Sequence, residues 1–416
     1  MLLGLFTAFR ICHWLMVVWL FCLLPQGAAH GQQFEFKNKR KQQTLDFKLL
    51  KNLVVIPVYI NHKGPFNFIL DTGVSPLLIT DPEILDTMDF SQLKRIKLSG
   101  LGKGQAIEAY ASNSIHVGVG AAEMSNMPTA ILKSDVFHLS NYLGIHVHGL
   151  IGYYFLNSFI VKINYPGHEM KFYSYDAKVK IKGKPLPIAL ILNKPYVQLP
   201  VMVSNVGLLP AKLLMDSGAS FALSLESLEK QKFPLPDSSI TANLGMGFGG
   251  LISGHIGRVN SMKIGGYLME HVLTTFPNYE DGAAKVAATG RNGSIGAELL
   301  RRFHMTFDYR NGLVYLKPNS ALNNKFEHDM SGLEIYMEEG TPDRYFIERI
   351  EPASPAEKIG ILPGDEVLGI NFKDMQSLDL EAVVVLLKAG DGKNVVLKLN
   401  RNGELLFKVL TLKKRI

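Results

Sequence analysis

The residues in this chain best placed to do chemistry are two aspartates delivered by one repeated grammar. An apolar strand carries each to its end, in Phe68-Ile69-Leu70-Asp71-Thr72-Gly73-Val74-Ser75 and again in Leu213-Leu214-Met215-Asp216-Ser217-Gly218-Ala219-Ser220. A single such octet reads as a strand ending in a turn, because Asp, Ser and Gly are common turn formers. Two in one chain suggest loops that bring their carboxylates face to face. Like charges that close cannot both ionise. One carboxyl then keeps its proton while the other acts as a base, and the pair can activate a water and protonate its target.

The elements that must position these loops repeat as well. Asp71 and Asp216 lie 145 residues apart, and the same offset carries Gly100, Gly102 and Gly104 onto Gly245, Gly247 and Gly249. Ile151 and Gly152 of Gly149-Leu150-Ile151-Gly152 map onto Ile295 and Gly296 of Gly293-Ser294-Ile295-Gly296 at an offset of 144, and Ile56-Pro57-Val58 maps onto Leu199-Pro200-Val201 at 143. Four landmarks in the same order imply two homologous lobes. Between residue 30 and about 320 the apolar runs are short, β-branched and aromatic, and Gly or Asn-Gly signals interrupt them, which predicts mostly antiparallel sheet. Helices are expected over 81–87 and 225–231.

With these residues in view, the chain resembles a bilobal aspartic peptidase of the pepsin and retropepsin type over roughly residues 45–320. The resemblance implies that Asp71 and Asp216 are the catalytic pair. Thr72 and Ser217 would be interlocking hydroxyls beneath it, and Gly73 and Gly218 would permit a backbone approach that a side chain would block. Ile151 with Gly152, and Ile295 with Gly296, would brace the two loops, although Ser294 replaces the first apolar residue of the second brace. Leu101, Gly102, Lys103 and Gly104 would form a flap. Two departures stand out. Leu101 and Met246 occupy the places where pepsin-type members carry a flap Tyr before Gly-x-Gly, and Val74 and Ala219 stand where such members often place a hydroxyl. Without that donor to an aspartate, the pair should release its protons at higher pH.

The whole chain bounds these readings. Its 416 residues suffice for two or three domains with substantial cores, and 47% apolar with 19% charged residues describes a folded globular protein. A formal net charge of +7 would suit nucleic acid, but the basic residues are scattered except for Lys37-Asn38-Lys39-Arg40-Lys41, 178–184 and the Lys413-Lys414-Arg415 tail, read as solvated surface. No nucleic-acid partner is expected. Arg10 and His13 precede an apolar core at 15–24, followed by Pro25 and Gly27-Ala28-Ala29, the pattern of a secretory signal peptide over 1–29. The expected location is periplasmic or secreted, with no transmembrane span in the mature chain, or membrane-anchored if the signal stays uncleaved. Both cysteines, Cys12 and Cys22, fall inside that segment, so the mature chain would hold neither disulfide nor thiol nucleophile.

Other motifs carry less. Gly245-Met246-Gly247-Phe248-Gly249-Gly250 fits a dinucleotide fingerprint, but nothing around it reads as strand, turn and helix, so a hairpin is expected. His146 and His148 could share one strand face as metal ligands, yet no third ligand is suggested nearby, and a structural or surface role is preferred. Asp308-Tyr309-Arg310-Asn311-Gly312 reads as a hairpin turn, and neither Glu298 nor Asp308 is assigned chemistry. No metal or organic cofactor is implied.

A polar stretch over 318–329 precedes a different pattern. Gly332-Leu333-Glu334-Ile335, Ser354-Pro355-Ala356, Pro363-Gly364-Asp365 and Ile370-Asn371 resemble a PDZ domain of bacterial type, with Ile359 in place of a usual Ala. Such domains bind a chain end by strand addition. Here Leu333–Met337 would be the receiving strand, 378–388 the groove helix, and the amides around Gly332 and Leu333 the seat of a terminal carboxylate. The expected fold is therefore mostly β, with two homologous aspartic-protease β-lobes related by a pseudo-twofold (30–180 and 181–320) and a small α+β PDZ domain (330–416). The expected function is an aspartic endopeptidase acting on polypeptide substrates, with PDZ binding of C-terminal peptides. The alternatives are a catalytically silent peptide binder or an envelope-assembly protein keeping the fold.

Overall fold

The computed structural model describes residues 32–416 apart from 87, 99–105, 248–249, 281–288, 339–343 and 379. The expected signal segment and the expected flap, Leu101 to Gly104, lie outside the described residues.

Each half repeats one strand arrangement. In the first, Lys63–Leu70 (β1) delivers Asp71, Leu77–Ile79 (β2) leaves the loop, the short helix Leu139–Leu143 (α1) follows, and Gly149–Ile151 (β3) returns to lie between the two strands. β3 runs parallel to β1 with Leu150 opposite Ile69, and antiparallel to β2 with Leu150 opposite Leu78. In the second half, Gly207–Asp216 (β4), Leu223–Leu225 (β5) and Gly293–Gly296 (β6) do the same. β6 is parallel to β4, with Ile295 opposite Met215, and antiparallel to β5. Being buried on both faces, such strands carry continuous apolar runs rather than alternation, and Phe68, Ile69, Leu70, Leu213, Leu214 and Met215 are all buried.

These pieces belong to a nine-stranded and an eight-stranded sheet. A third, six-stranded sheet joins the halves, because Ile160–Asn164 pairs antiparallel with Phe303–Asp308, placing Val161 opposite Phe307 and Ile163 opposite Met305. One apolar cluster runs through both halves from Phe34 to Phe326. Phe155, fully buried, sits 5.1 Å from the Phe172 ring and 5.6 Å from Phe159. Burying each such ring stabilises the fold by about 1.5–3 kcal/mol.

A separate apolar cluster begins at Met330 and ends at Leu412. It lies under a sheet whose edge strand is Leu333–Met337 (β7), and it includes Leu380, Val383 and Leu387 of the helix Leu380–Leu387 (α2). Both elements fall where the sequence places them.

The smaller helices differ from expectation. Over 81–87 the chain makes one 3₁₀ turn, Pro82–Leu85, capped by Asp81, whose Oδ1 accepts from the Glu83 amide at 3.0 Å. Over 225–231 there is no helix. Ser227–Leu228 pairs instead with Gln231–Lys232 across Glu229 and Lys230, which take φ of 50° and 62°. Two consecutive positive φ values make a tight hairpin turn. The Asp308 to Gly312 turn joins Phe303–Asp308 to Leu313–Pro318 as read from the sequence.

Candidate active site

Asp71 and Asp216 end β1 and β4, and their backbones are held by the braces. The Asp71 amide donates to Ile151 O at 2.9 Å, and the Tyr153 amide to Val74 O at 3.1 Å. In the second half the Gly296 amide donates to Ala222 O at 2.9 Å and the Ala297 amide to Ala219 O at 2.7 Å. Gly152 and Gly296 are needed for close approach. A Cβ on Gly152 would lie 2.6 Å from Val74 O, and one on Gly296 2.8 Å from Ala219 O.

Four reciprocal hydrogen bonds lock the loops together. Thr72 Oγ1 donates to Met215 O at 2.7 Å and accepts from the Ser217 amide at 2.9 Å. Ser217 Oγ donates to Leu70 O at 2.8 Å and accepts from the Thr72 amide at 3.0 Å. Both side chains are buried, so each bond is made out of water and leaving one unmade would be costly.

Above this grip the carboxyl groups meet. Asp71 and Asp216 lie close enough for the charge of one to raise the titration of the other. Each also accepts from the glycine two residues on, Gly73 N to Asp71 Oδ1 at 2.6 Å and Gly218 N to Asp216 Oδ1 at 3.1 Å. A Cβ on Gly218 would fall 2.5 Å from Asp71 Oδ2, and one on Gly73 would sit 3.2 Å from Asp216 Oδ1, so each glycine clears room for the opposite aspartate. Burial, and then the charge of Asp216, push the Asp71 carboxyl up to about 7, against the opposing pull of the Gly73 amide and the Lys194 ammonium. Near neutral pH this pair holds a proton that an exposed carboxyl would have lost. It can therefore donate and accept at once.

Several neighbours were not read from the sequence. Arg291 and Glu226 form a buried bidentate pair at 2.9 Å and 2.9 Å, and Ser294 Oγ donates to Glu226 Oε1 at 3.2 Å. That contact accounts for a serine in the second brace where the first has Leu150, and the irregular residue was the available signal. Asn193 Nδ2 reaches Ser75 Oγ at 3.3 Å, which brings the hairpin carrying Lys194 over the first loop.

At the expected C-terminal peptide site the first amides are bonded by neighbouring side chains. Asp329 Oδ1 accepts from the Gly332 amide at 2.6 Å and the Ser331 amide at 2.9 Å, while Ser331 Oγ accepts from the Leu333 amide at 3.0 Å. The amides of Gly332 and Leu333, expected from the sequence to receive a terminal carboxylate, bond within the chain here. The reason is local: Asp and Ser side chains bond amides two or three residues ahead of them. Glu334 Oε2 accepts from Asn243 Nδ2 at 3.3 Å, and Ile335 is buried in the C-terminal core.

Around the two histidines the structure supplies a third group the sequence did not suggest. Asp81, His146 and His148 bring ligand atoms within 4.8 Å of one another, with His146 Nε2 3.1 Å from Asp81 Oδ2 and the two imidazoles stacked at 4.4 Å. His148 Nδ1, however, accepts the Asn67 amide at 3.2 Å. That bond places the ring proton on Nε2 and leaves no lone pair there for a cation.

Two family models match parts of the chain. Residues 56–155 match the family described as aspartyl protease, and residues 346–401 match the PDZ domain. The chain is 34% identical over 85 residues to the carboxy-terminal processing protease CtpB of Bacillus subtilis (strain 168), a match covering 20% of this chain and 17% of that protein. It therefore spans about a sixth of the length of that curated relative. Among solved structures, the photosystem II D1 C-terminal processing protease is 23% identical with a TM-score of 0.21, over 23% of this chain and 25% of that one. A retropepsin-like aspartic protease from Rickettsia conorii is 17% identical with a TM-score of 0.24, over 34% of this chain and 92% of its own. The chain thus carries a region matching the aspartyl-protease family and one matching the PDZ domain, in a mostly β fold.

Proposed function

We propose that this protein is an aspartic endopeptidase with Asp71 and Asp216 as its catalytic pair, working on polypeptides in a periplasmic or secreted setting after loss of residues 1–29. The observation that carries the reading is the apposed pair of carboxyls, each reaching the other's glycine, set by reciprocal Thr72 and Ser217 bonds, with burial and the Asp216 charge pushing Asp71 up to about 7. The lobes would comprise 30–180 and 181–320, related by a pseudo-twofold through the pair, with the PDZ unit over 330–416.

In this mechanism a water lies between the carboxyls. The ionised carboxylate takes a proton from the water as its oxygen attacks the scissile carbonyl carbon, and the protonated carboxyl gives its proton to the carbonyl oxygen. The resulting gem-diol collapses as a proton passes from one of its hydroxyls through the pair to the amide nitrogen. The carbon–nitrogen bond breaks, and one acid and one amine leave. The PDZ unit would hold an extended segment of the substrate or a partner.

Incubation with a denatured protein substrate, with and without a statine-containing peptide inhibitor, tests the reading. Cleavage should be blocked by the inhibitor and abolished in Asp71→Asn and in Asp216→Asn. Near-normal cleavage by either variant refutes the dyad. Absence of cleavage by the parent across pH 4–8 returns the chain to a silent peptide binder.

A further inference from the structure

The edge strand of the PDZ unit, where strand addition would occur, faces the protease lobes. β7 pairs only with Tyr345–Ile350 among the described strands, so its other edge is unpaired. That edge is not open to solvent. Helix α1 of the first lobe packs along β7, with the Tyr142 ring edge-on to Tyr336 at 5.8 Å. The next residue beyond α1, Gly144, abuts α2, since a Cβ there would lie 2.8 Å from Leu380 Cδ1. Beside it the Lys51 amide donates to Glu381 of α2 at 2.8 Å, and the Lys51 ammonium lies 3.8 Å from the centre of the Tyr142 ring. One insert therefore touches both walls of the groove, the strand through Tyr336 and the helix through Leu380 and Glu381.

The same insert reaches the catalytic loop. The Tyr142 hydroxyl lies 3.1 Å from Ser220 Oγ, and Asn52, the neighbour of Lys51 in a two-residue turn, donates to Ser220 O at 2.8 Å. Ser220 closes the octet that begins at Leu213 and contains Asp216. What seats the groove also props the second aspartate's loop.

We infer that α1 is a built-in occupant of the PDZ groove, that an extended polypeptide adding to β7 displaces it, and that Tyr142 and the Lys51-Asn52 turn pass that displacement to the Asp216 loop. The coupling to catalysis rests on the peptidase reading above, whereas the displacement does not. A ligand that must first eject α1 binds with its affinity reduced by the fraction of molecules in which the groove is open. Loosening the insert should therefore tighten binding. Glu381→Ala removes the acceptor of the Lys51 amide without touching β7, and Tyr142→Phe keeps the ring and removes the hydroxyl that meets Ser220.

The probe is a fluorescein-labelled peptide of alternating Val and Thr ending in Leu, titrated into the full chain, with a variant peptide carrying Pro at alternate positions as the control that cannot add as a strand. Anisotropy should show binding about fivefold tighter or more to Glu381→Ala than to the parent, and none of the Pro control. Saturating peptide should raise amide hydrogen exchange across residues 139–143. Both readouts need no catalysis, so they stand even if the parent cleaves nothing. The rate on a short, doubly capped peptide substrate should change on adding the Val/Thr peptide to the parent and stay constant in Tyr142→Phe. Equal affinity for parent and Glu381→Ala, no binding to either, or unchanged exchange at 139–143 under saturation overturns the occupied groove. A parent rate indifferent to bound peptide overturns the coupling.

Discussion

Replacing Asp71 with Asn should make the protein more stable, and only above a definite pH. The folded Asp71 carboxyl titrates at about 7, against an ordinary 3.8. Between those values the native state keeps a proton that the unfolded chain has released, so the stability of the parent falls as pH rises through this window. The span is about 3 pH units at 1.36 kcal/mol each, or about 4 kcal/mol, fully developed once pH exceeds 7. Asparagine has no charge to bury, still accepts the Gly73 amide and can donate to Asp216. The two proteins should therefore unfold alike near pH 4 and diverge to about 4 kcal/mol in favour of Asp71→Asn at pH 8. Urea unfolding of both at intervals from pH 4 to 8 measures this, and the same samples should show that the variant cleaves nothing. Parallel pH profiles, or a variant less stable than the parent at pH 8, would refute the claim that burial and Asp216 hold the Asp71 proton.

The grip predicts strong coupling: Thr72→Val and Ser217→Ala should each cost about 2 kcal/mol, and the double variant clearly less than their sum, as read from denaturant midpoints. Losing one member of the buried Glu226–Arg291 pair, in Arg291→Met, should cost about 3–5 kcal/mol, and Glu226→Leu added to it should restore much of the loss in thermal melts. Cleavage should decline as pH rises past about 7, where the dyad gives up its shared proton, so a rate still climbing at pH 9 contradicts the mechanism. Burial holds the Lys51 ammonium down to about 8, below its usual 10.5, despite Glu334 and Glu381 and with a smaller push from Lys388. The unfolded chain binds that proton more readily, so stability should rise from pH 8 to 10.5, and Lys51→Met should lose the rise.

The parts of this structure legible in the sequence are those where one residue type has few substitutes. Only glycine tolerates an aspartate carboxyl at 2.5 Å from where its Cβ would be, so Gly218 could be read in place. The braces were legible because Ile151-Gly152 recurs as Ile295-Gly296 at an offset within one residue of that between the aspartates. The residues 225–231 were misread because Glu229 and Lys230 are ordinary helix formers that here take positive φ, a choice set by the hairpin register rather than by propensity. Glu226 and Arg291 stand 65 residues apart, and nothing local announces that they meet. The raised Asp71 titration has the direction expected from Val74 and Ala219 lacking hydroxyls, but the causes in the fold are burial and the Asp216 charge. Both depend on contacts between halves of the chain.

The reciprocal grip has an evolutionary consequence. Each loop is completed by the other's hydroxyl and carbonyl, so either half alone would leave those groups exposed, and two copies of one half could complete each other by the same four bonds. Joining the halves in one polypeptide removes the requirement that they be identical. Mutations can then accumulate on one side only. The ion pair under the second brace, hung on Ser294 where the first half has Leu150, is such a one-sided change.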